Sequence, residues 1–235
     1  MKTIRSFLIW LIAFLYFGLF CLFIIFLTYL FPIRKLDSLI RFLLRFFLKV
    51  IFVKVEVEGA EKIDPAKTYI LMANHVSLFD VPVLKAFIPV HFIGIEAEHQ
   101  FSWPIYGWLV TRLKTIPINR ENIFSSLRSI KRAHKVLHDG ISIAILPEGH
   151  RTLTGELQPF KKLPFLFLKD ANVDLVPIGL SGLFSLKPKK SWHIRPGKIK
   201  IKFGEIVPRE TWGEMTVDEM REEVYHRIKS LIEFP

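Results

Sequence analysis

Apolar residues run without interruption through the first part of the chain. Residues 6–33 include no charged side chain, and Leu, Ile and Phe predominate. A stretch of about 20 apolar residues spans a bilayer as an α-helix, and this one is longer. A secretory signal peptide has a shorter apolar core followed by a small-residue cleavage site, a pattern that this stretch lacks. The segment therefore predicts a membrane-embedded helix.

A second helical pattern begins near Asp37, after a proline that breaks the first helix. Apolar residues recur at three- and four-residue spacing, while Arg41, Arg45 and Lys49 stand four apart on one side. This composition is typical of a helix that lies among lipid headgroups with its long cations reaching outward. An amphipathic helix that covers a globular core has the same pattern and is the alternative.

The rest of the chain alternates between strand and helix patterns. A first strand ends at Gly59, and others are predicted at residues 69–73, 91–95, 115–118, 141–146, 173–178, 192–195 and 198–203. Helices are predicted at residues 81–87, 104–113, 121–139, 162–171 and 217–232, the last opened by a capping box of Thr216 and Glu219. This order predicts an α/β fold with a largely parallel sheet flanked by helices. We divide the chain into two membrane-anchoring helices, residues 1–53, and an α/β domain, residues 54–235.

Basic residues flank the first helix on both sides, with more of them after it than before it. Lys2 and Arg5 precede it, and five cations follow it before residue 50. The positive-inside rule then predicts that the α/β domain faces the cytoplasm. Basic residues at both ends fit equally well a hairpin that enters one leaflet without crossing, so both arrangements stay open.

The formal net charge of +11 indicates that the protein binds an anionic partner. A late basic cluster consists of Lys187, Lys189, Lys190, Arg195, Lys198, Lys200 and Lys202. Anionic lipid, an acidic carrier protein and nucleic acid are the physical possibilities. Because an apolar anchor precedes the domain, we rank the membrane phospholipid surface first. The chain has no nucleic-acid motif, so we expect no nucleic-acid partner.

A histidine and a carboxylate follow the predicted strand at residues 69–73. In the segment Asn74-His75-Val76-Ser77-Leu78-Phe79-Asp80 they stand five residues apart. Acyl transfer to an alcohol needs an imidazole that takes the hydroxyl proton and a carboxylate that orients the imidazole. Five residues is not a same-face helical spacing, so His75 and Asp80 meet only if the chain turns between them. The alternative is a helix start with Ser77 as N-cap and Asp80 three residues on, and both hypotheses can hold together.

Two further polar segments follow predicted strands. Glu148, Gly149 and Arg151 come after the strand at residues 141–146, and Arg120 follows the strand at residues 115–118. Strand ends of an open α/β sheet are where such folds bind ligands. A carboxylate, a glycine that permits close backbone approach, and arginine suit a ligand that carries hydroxyls and phosphate. In isolation the segment with Glu148 is equally an ordinary polar turn, and a single arginine at an element boundary such as Arg120 is usually a solvated charge.

The chain lacks the sequence motifs of other kinds of catalysis. The only cysteine, Cys21, falls inside the apolar segment, and the chain has no GxSxG elbow, so a covalent acyl-enzyme is not indicated. The eight histidines show no metal-binding spacing. We therefore expect neither a metal site nor a bound cofactor.

Four segments resemble, in order, the sequence blocks of the glycerolipid acyltransferases. Residues 74–80 resemble the NHxxxxD block, residues 114–120 the GxxFIxR block, residues 146–152 the FPEGTRS block and residues 176–178 the VPV block. The resemblance covers about residues 57–203. It is closest to the 1-acylglycerol-3-phosphate (lysophosphatidate) acyltransferases.

The resemblance implies a reaction and its catalytic pair. His75 would be the general base and Asp80 its orienting partner. An acyl group would pass from acyl-CoA or acyl-carrier protein, as co-substrate, to the free hydroxyl of 1-acylglycerol-3-phosphate, giving phosphatidic acid. Glycerol-3-phosphate or another lysophospholipid is the alternative acceptor. A non-catalytic membrane lipid-binding protein, and a hydrolase that uses the same pair on water, are the rival hypotheses.

The resemblance also implies a set of substrate-binding residues. Arg120 and Arg151 would bind the phosphate of the acceptor, while Glu148 and Gly149 would shape the glycerol pocket. Lys114, which opens the second block, belongs to the same set, although it stands where the family usually has glycine.

Overall fold

The structure is a computed structural model that describes residues 2–119 and 121–233, without the side chain of Ile123. One predicted site residue, Arg120, lies outside the described residues. The strands are β1 (Lys54–Glu58), β2 (Tyr69–Ala73), β3 (Phe92–Ala97), β4 (Ile116–Ile118), β5 (Ser142–Ile145), β6 (Asp174–Ser181) and β7 (Lys198–Phe203). The helices are α1 (Lys2–Leu30), α2 (Ile33–Val50), α3 (Asp80–Phe87), α4 (Tyr106–Arg112), α5 (Ile123–His138), α6 (Leu163–Ala171), α7 (Leu183–Leu186) and α8 (Val217–Leu231).

The seven strands form one sheet in the order β1-β7-β6-β2-β5-β3-β4. The five strands β2, β3, β4, β5 and β6 are all parallel to one another. Strand β7 pairs antiparallel with β6, and β1 pairs parallel with β7, so these two run opposite to the other five. The predicted largely parallel sheet flanked by helices is confirmed, with two reversed strands at one side.

The central strand β2 shows how the sheet separates two apolar cores. Tyr69, Leu71 and Ala73 pack into the core that includes α1, α2 and α3. Ile70 and Met72 point the other way, into the core that includes α5, α6 and α8. All five are buried, as expected for a parallel strand covered on both faces.

Several predicted elements are confirmed, and one is wrong. Strand β7 has the predicted bounds, and α8 begins with the predicted capping box of Thr216 and Glu219. Residues 192–195 form no strand. Their backbone instead bonds to α1, since the Trp192 carbonyl accepts from the indole of Trp10 at 2.6 Å. The Ser6 hydroxyl, close by in α1, donates to the carbonyl of residue 194 at 3.3 Å and accepts its N–H at 3.2 Å.

Helix α1 lies along the α/β domain. Near its first turns it is held by Ser6 and Trp10, and near its last turn Arg112 of α4 donates to the Thr28 hydroxyl at 2.8 Å and carbonyl at 2.7 Å. The opposite face is exposed and apolar along its length: Ile4, Phe7, Leu8, Leu11, Ile12, Phe14, Leu15, Leu19, Leu22, Phe23, Phe26, Tyr29 and Leu30. Among the described residues it is the one helix long and apolar enough to cross a membrane.

Helix α2 begins at Ile33, four residues earlier than predicted, and covers the core. Two cations of its basic stripe donate hydrogen bonds to protein carbonyls, although Arg45 is also exposed. Arg41 donates to the carbonyl of Pro89 at 2.8 Å, and Arg45 donates to the carbonyl of Ala86 at 2.9 Å. Carbonyls at and just after the end of a helix attract guanidinium groups. The placement of this stripe among headgroups stays a prediction. Lys49 is exposed.

A buried ion cluster joins α2 to α3. Asp37, 4% exposed, accepts from Arg41, from Lys85 at 2.8 Å and from His91 at 3.0 Å. Burial alone would raise the pKa of Asp37, but these hydrogen bonds and the Lys85 charge outweigh it and hold the pKa below its ordinary value. For Lys85 the balance is opposite: burial lowers its pKa despite the attraction of Asp37. The cluster therefore favours an ionised Asp37, while burial disfavours the charged form of both Asp37 and Lys85.

Candidate active site

The candidate site lies where β2 and β5, neighbours in the sheet, end at the same edge. The loop after β2 carries residues 74–79, and the loop after β5 carries residues 146–162. Carboxyl ends of parallel strands form such ligand-binding edges in α/β sheets. The two loops contact each other through side chains and backbone.

His75 and Asp80 meet. Nδ1 of the imidazole lies 2.7 Å from Oδ2 of the carboxylate, which is fully buried. Asp80 also accepts the backbone N–H groups of Val76 at 2.7 Å and Ser77 at 2.9 Å, so its orientation is fixed by the turn that it closes. With Nδ1–H donating to Asp80, the ring nitrogen that can accept a proton is Nε2. The imidazole is 18% exposed and thus open to a ligand.

The predicted N-cap at Ser77 is wrong. Helix α3 begins at Asp80 with Phe79 in the N-cap position and no side-chain capping bond. The Ser77 hydroxyl donates instead to the carbonyl of Lys187 at 3.0 Å. Asp80 uses its oxygens on the imidazole and on the preceding backbone, so the carboxylate serves the histidine as well as the turn.

The loop after β5 holds the backbone of His75 on both sides. The His75 N–H donates to Oε1 of Glu148, and its carbonyl accepts the Thr152 N–H at 3.0 Å. Two bonds from one loop thus fix the peptide groups that carry the imidazole. Arg151 directly precedes Thr152, so this contact places the backbone of Arg151 near that of His75.

Glu148 is fully buried, and protein donors occupy both of its oxygens. Its second oxygen accepts the Gln158 backbone N–H at 3.0 Å and side-chain amide at 3.2 Å. Burial raises the pKa of Glu148, and the hydrogen bonds from His75 and Gln158 oppose that shift. In this arrangement Glu148 positions His75.

The side chain of Asn74 extends the hydrogen bonding between β2 and β6 beyond the end of β2. Its amide donates to the Leu180 carbonyl at 2.9 Å, and its side-chain oxygen accepts the Leu180 N–H at 2.7 Å. A side-chain amide offers both a donor and an acceptor, so it pairs with the backbone as a strand residue would. Sequence reasoning assigned no role to Asn74, although an Asn directly after a buried strand was the available signal.

Gly149 and Arg151 occupy the turn beside His75. Gly149 has φ 80°, a conformation that favours glycine, and its N–H closes the turn onto the carbonyl of Leu146 at 3.0 Å. Arg151 is partly exposed and forms no ion pair within residues 2–119 and 121–233. Lys189 donates to the Arg151 carbonyl at 3.5 Å, so the segment after α7 borders the same turn.

Lys114 is not part of this cluster. It is exposed and precedes β4, at the amino end of a strand whose carboxyl end points toward the site edge. Its φ of 60° lies in the left-handed region. That conformation explains why the family that the sequence resembles usually has glycine there.

Comparison with known proteins yields one family and several relatives. The family described as "Acyltransferase" matches residues 54–181. The chain is 29% identical over 172 residues to a 1-acyl-sn-glycerol-3-phosphate acyltransferase of Cocos nucifera, covering 73% of this chain and 55% of that protein. It is 31% identical over 175 residues to one of Chlamydomonas reinhardtii, covering 74% and 52%. The chain thus spans about half the length of the curated relatives it matches.

A solved structure resembles the whole fold. The crystal structure of the 1-acyl-sn-glycerophosphate (LPA) acyltransferase PlsC from Thermotoga maritima superposes with a TM-score of 0.80 at 27% identity. The match covers 98% of this chain and 95% of that one. It therefore includes the N-terminal helices as well as the α/β domain.

Proposed function

Because the chain belongs to the acyltransferase family, we propose that it transfers a fatty acyl group to the free hydroxyl of 1-acylglycerol-3-phosphate, giving phosphatidic acid. The donor is acyl-CoA or acyl-carrier protein. The observation that carries the proposal is the 2.7 Å contact between His75 and the buried Asp80 at the carboxyl edge of the sheet. Similarity to relatives that bear this activity in their names supports the choice of acceptor.

In the proposed mechanism His75 acts as general base. Nε2 takes the proton of the acceptor hydroxyl as its oxygen attacks the thioester carbonyl. The new C–O bond forms, the C–S bond breaks, and the imidazolium returns its proton to the leaving thiolate. Asp80 stays ionised, holds the tautomer and stabilises the transient positive charge on the ring. General base catalysis of this kind contributes about 10²–10⁴-fold to the rate.

The acceptor site is proposed on the side of Arg151. A guanidinium next to the His75 loop suits a phosphate monoester, because its planar array of donors matches phosphate oxygens. Arg120 completes the phosphate site in this proposal, and Gly149 lets backbone approach the glycerol. Glu148 contributes by positioning His75.

The reaction is proposed at the membrane surface, with the catalytic edge on the cytoplasmic side. The exposed apolar face of α1 and the excess of cations after it support this location. A lysolipid and its acylated product both reside in the bilayer. An enzyme seated there acts on them without extracting them fully into water.

The test is an assay of the purified full chain with phospholipid vesicles. Acyl-CoA and acyl-carrier protein are each supplied with lysophosphatidate, glycerol-3-phosphate or lysophosphatidylcholine, and product lipids and free thiol are both quantified. We expect phosphatidate to form at a rate that His75→Ala lowers by about 10²-fold or more. Thiol release without acceptor would identify a hydrolase, and lysolipid binding without turnover would identify a binding protein.

A further inference from the structure

One lysine of the late basic cluster is buried beside the candidate site. Lys187 directly follows α7 and is 9% exposed, unlike its neighbours Lys189 and Lys190, which are exposed. Its ammonium donates to the carbonyl of Pro188 at 3.2 Å and forms no ion pair with any described carboxylate. An ammonium has three donors, so two of them remain for another acceptor.

The positive charge of Arg151 acts on Lys187. Burial lowers the pKa of Lys187, and the nearby Arg151 guanidinium lowers it further. Like charges repel, and neither cation has an acidic partner in the described chain. An anion placed between them relieves that repulsion and supplies acceptors for their remaining donors.

The same lysine is tied to the loop that carries the dyad. Its carbonyl accepts the Ser77 hydroxyl at 3.0 Å, while Arg151 precedes Thr152, whose N–H binds the His75 carbonyl at 3.0 Å. The backbone of Lys187 is thus one hydrogen bond from the turn between His75 and Asp80, and Arg151 is one residue away from a second hydrogen bond to that turn.

We propose that Lys187 and Arg151 form a two-cation site for the phosphate monoester of the acyl acceptor, and that Lys187 makes the enzyme selective for a phosphorylated acceptor. The inference rests on the proposed function. In 1-acylglycerol-3-phosphate the free hydroxyl and the phosphate are on neighbouring carbons, so the phosphate site must lie close to His75. The phosphates of a CoA or carrier-protein donor are far from its thioester along the pantetheine arm, so the acceptor is the source that fits.

The test compares Lys187→Met and Lys187→Gln with Lys190→Met. The control removes an equal charge from an exposed lysine of the same segment. Losing hydrogen bonds to a charged group predicts that the KM for lysophosphatidate rises about 10–100-fold in both Lys187 variants. The donor KM and the kcat at saturating acceptor should stay within about threefold, and Lys190→Met should match the wild type. Lys187→Arg, which keeps the charge, should recover most of the acceptor affinity.

Three results would overturn the proposal. A rise in donor KM with unchanged acceptor KM would assign the ammonium to the phosphates of the donor. A fall in kcat with unchanged acceptor KM would assign Lys187 to the support of the Ser77 turn. An equal rise of the acceptor KM in Lys190→Met would reduce the effect to general attraction of an anionic lipid.

A binding measurement separates this inference from the proposed reaction. Titration calorimetry with glycerol-3-phosphate reports the cation pair without any turnover. If the wild type transfers no acyl group but binds glycerol-3-phosphate with an affinity that Lys187→Gln lowers tenfold or more, the reaction fails and the anion site stands. If transfer occurs but Lys187→Gln binds glycerol-3-phosphate as the wild type does, the reaction stands and the two-cation site is refuted.

Discussion

The buried carboxylate of Glu148 accepts a hydrogen bond from the backbone N–H of His75. The resemblance to known acyltransferases had implied a place for Glu148 in the glycerol pocket. Since its other oxygen accepts the Gln158 N–H, the side chain connects the loop after β2 to a residue of its own loop. Both carboxylate oxygens of Glu148 must therefore act as hydrogen-bond acceptors.

Glu148→Gln should therefore misplace His75. An amide can accept at one end only, so one buried N–H donor faces an NH₂ group, at a cost of about 1–3 kcal/mol. We expect a lower unfolding midpoint in urea and a fall in kcat, with acceptor KM little changed. Glu156→Gln, on an exposed side chain of the same loop, is the control. A large rise in acceptor KM with normal kcat would instead favour a role for Glu148 in substrate binding.

Asp80→Asn should lower kcat by about 10²–10⁴-fold. Asparagine has one oxygen acceptor where Asp80 has two, so it cannot accept from the imidazole and from both backbone N–H groups as Asp80 does. Its neutral amide also stabilises an imidazolium less well. Steady-state rates at saturating lysophosphatidate check this expectation, with circular dichroism as a test of the fold. A kcat within threefold of the wild type would remove Asp80 from the mechanism.

Asp37→Asn should destabilise the protein by about 3–5 kcal/mol, because it leaves the buried Lys85 without its carboxylate. Replacing Asp37 by Leu together with Lys85 by Met removes both charges and should cost less than the single change. Urea unfolding at pH 7 measures both variants. Equal losses in the single and double variants would contradict a penalty from the unpaired ammonium.

The low pKa of Asp37 also predicts a pH dependence of stability. Its folded pKa lies below the value of about 3.9 in unfolded chains, so below that pH the unfolded state binds more protons. The contribution of Asp37 is fully present above pH ~4 and is lost as the pH falls toward the folded pKa. Unfolding midpoints between pH 3 and pH 6 should decline less steeply at the acid end in Asp37→Asn than in the wild type. Parallel curves would contradict this.

Lys114→Gly should stabilise the protein by about 1 kcal/mol, because glycine adopts φ 60° without the strain of a side chain. Kinetic constants should not change, since Lys114 lies outside the site cluster. Lys131→Gly, at an exposed position inside α5, should be destabilising by about 1 kcal/mol. The two substitutions thus have opposite expected signs in the same melting experiment. Destabilisation by both substitutions would mean that Lys114 does not adopt a left-handed φ in solution.

The outward face of α1 should determine membrane affinity. Changing Phe7, Leu11 and Phe14 to Ser removes exposed apolar side chains and should weaken vesicle binding on the order of 100-fold or more. Because the three point away from the domain, the unfolding midpoint should change little. Vesicle sedimentation measures the partition, and activity on a short-chain, water-soluble acceptor should persist. Unchanged partition would assign membrane contact to another surface.

Patterns local to a segment predicted much of this fold. The strict alternation of Lys and apolar residues at 198–203 gave a strand with the observed bounds, and Thr216 with Glu219 marked the start of α8. The five-residue interval between His75 and Asp80 required a turn, and the turn is present. In each case the signal depends on neighbours in sequence, which is where periodicity and capping act.

Long-range pairing could not be read in the same way. The segment at 192–195 has strand composition, yet its backbone bonds to Ser6 and Trp10 of α1, far away in sequence. Arg41 and Arg45 belong to the basic stripe of α2. They donate to carbonyls that are distant in sequence, one after α3 and one within it. The burial of Lys187 likewise depends on where α7 packs.

Helix α1 is held by the domain near both of its ends, through Ser6 and Thr28. An apolar rod fastened in this way cannot pivot independently of the sheet. If lipid surrounds its outer face, the height and tilt of the imidazole relative to the hydrocarbon are set once, when the chain folds. Access of a lipid alcohol would then depend on how far its glycerol rises from the leaflet.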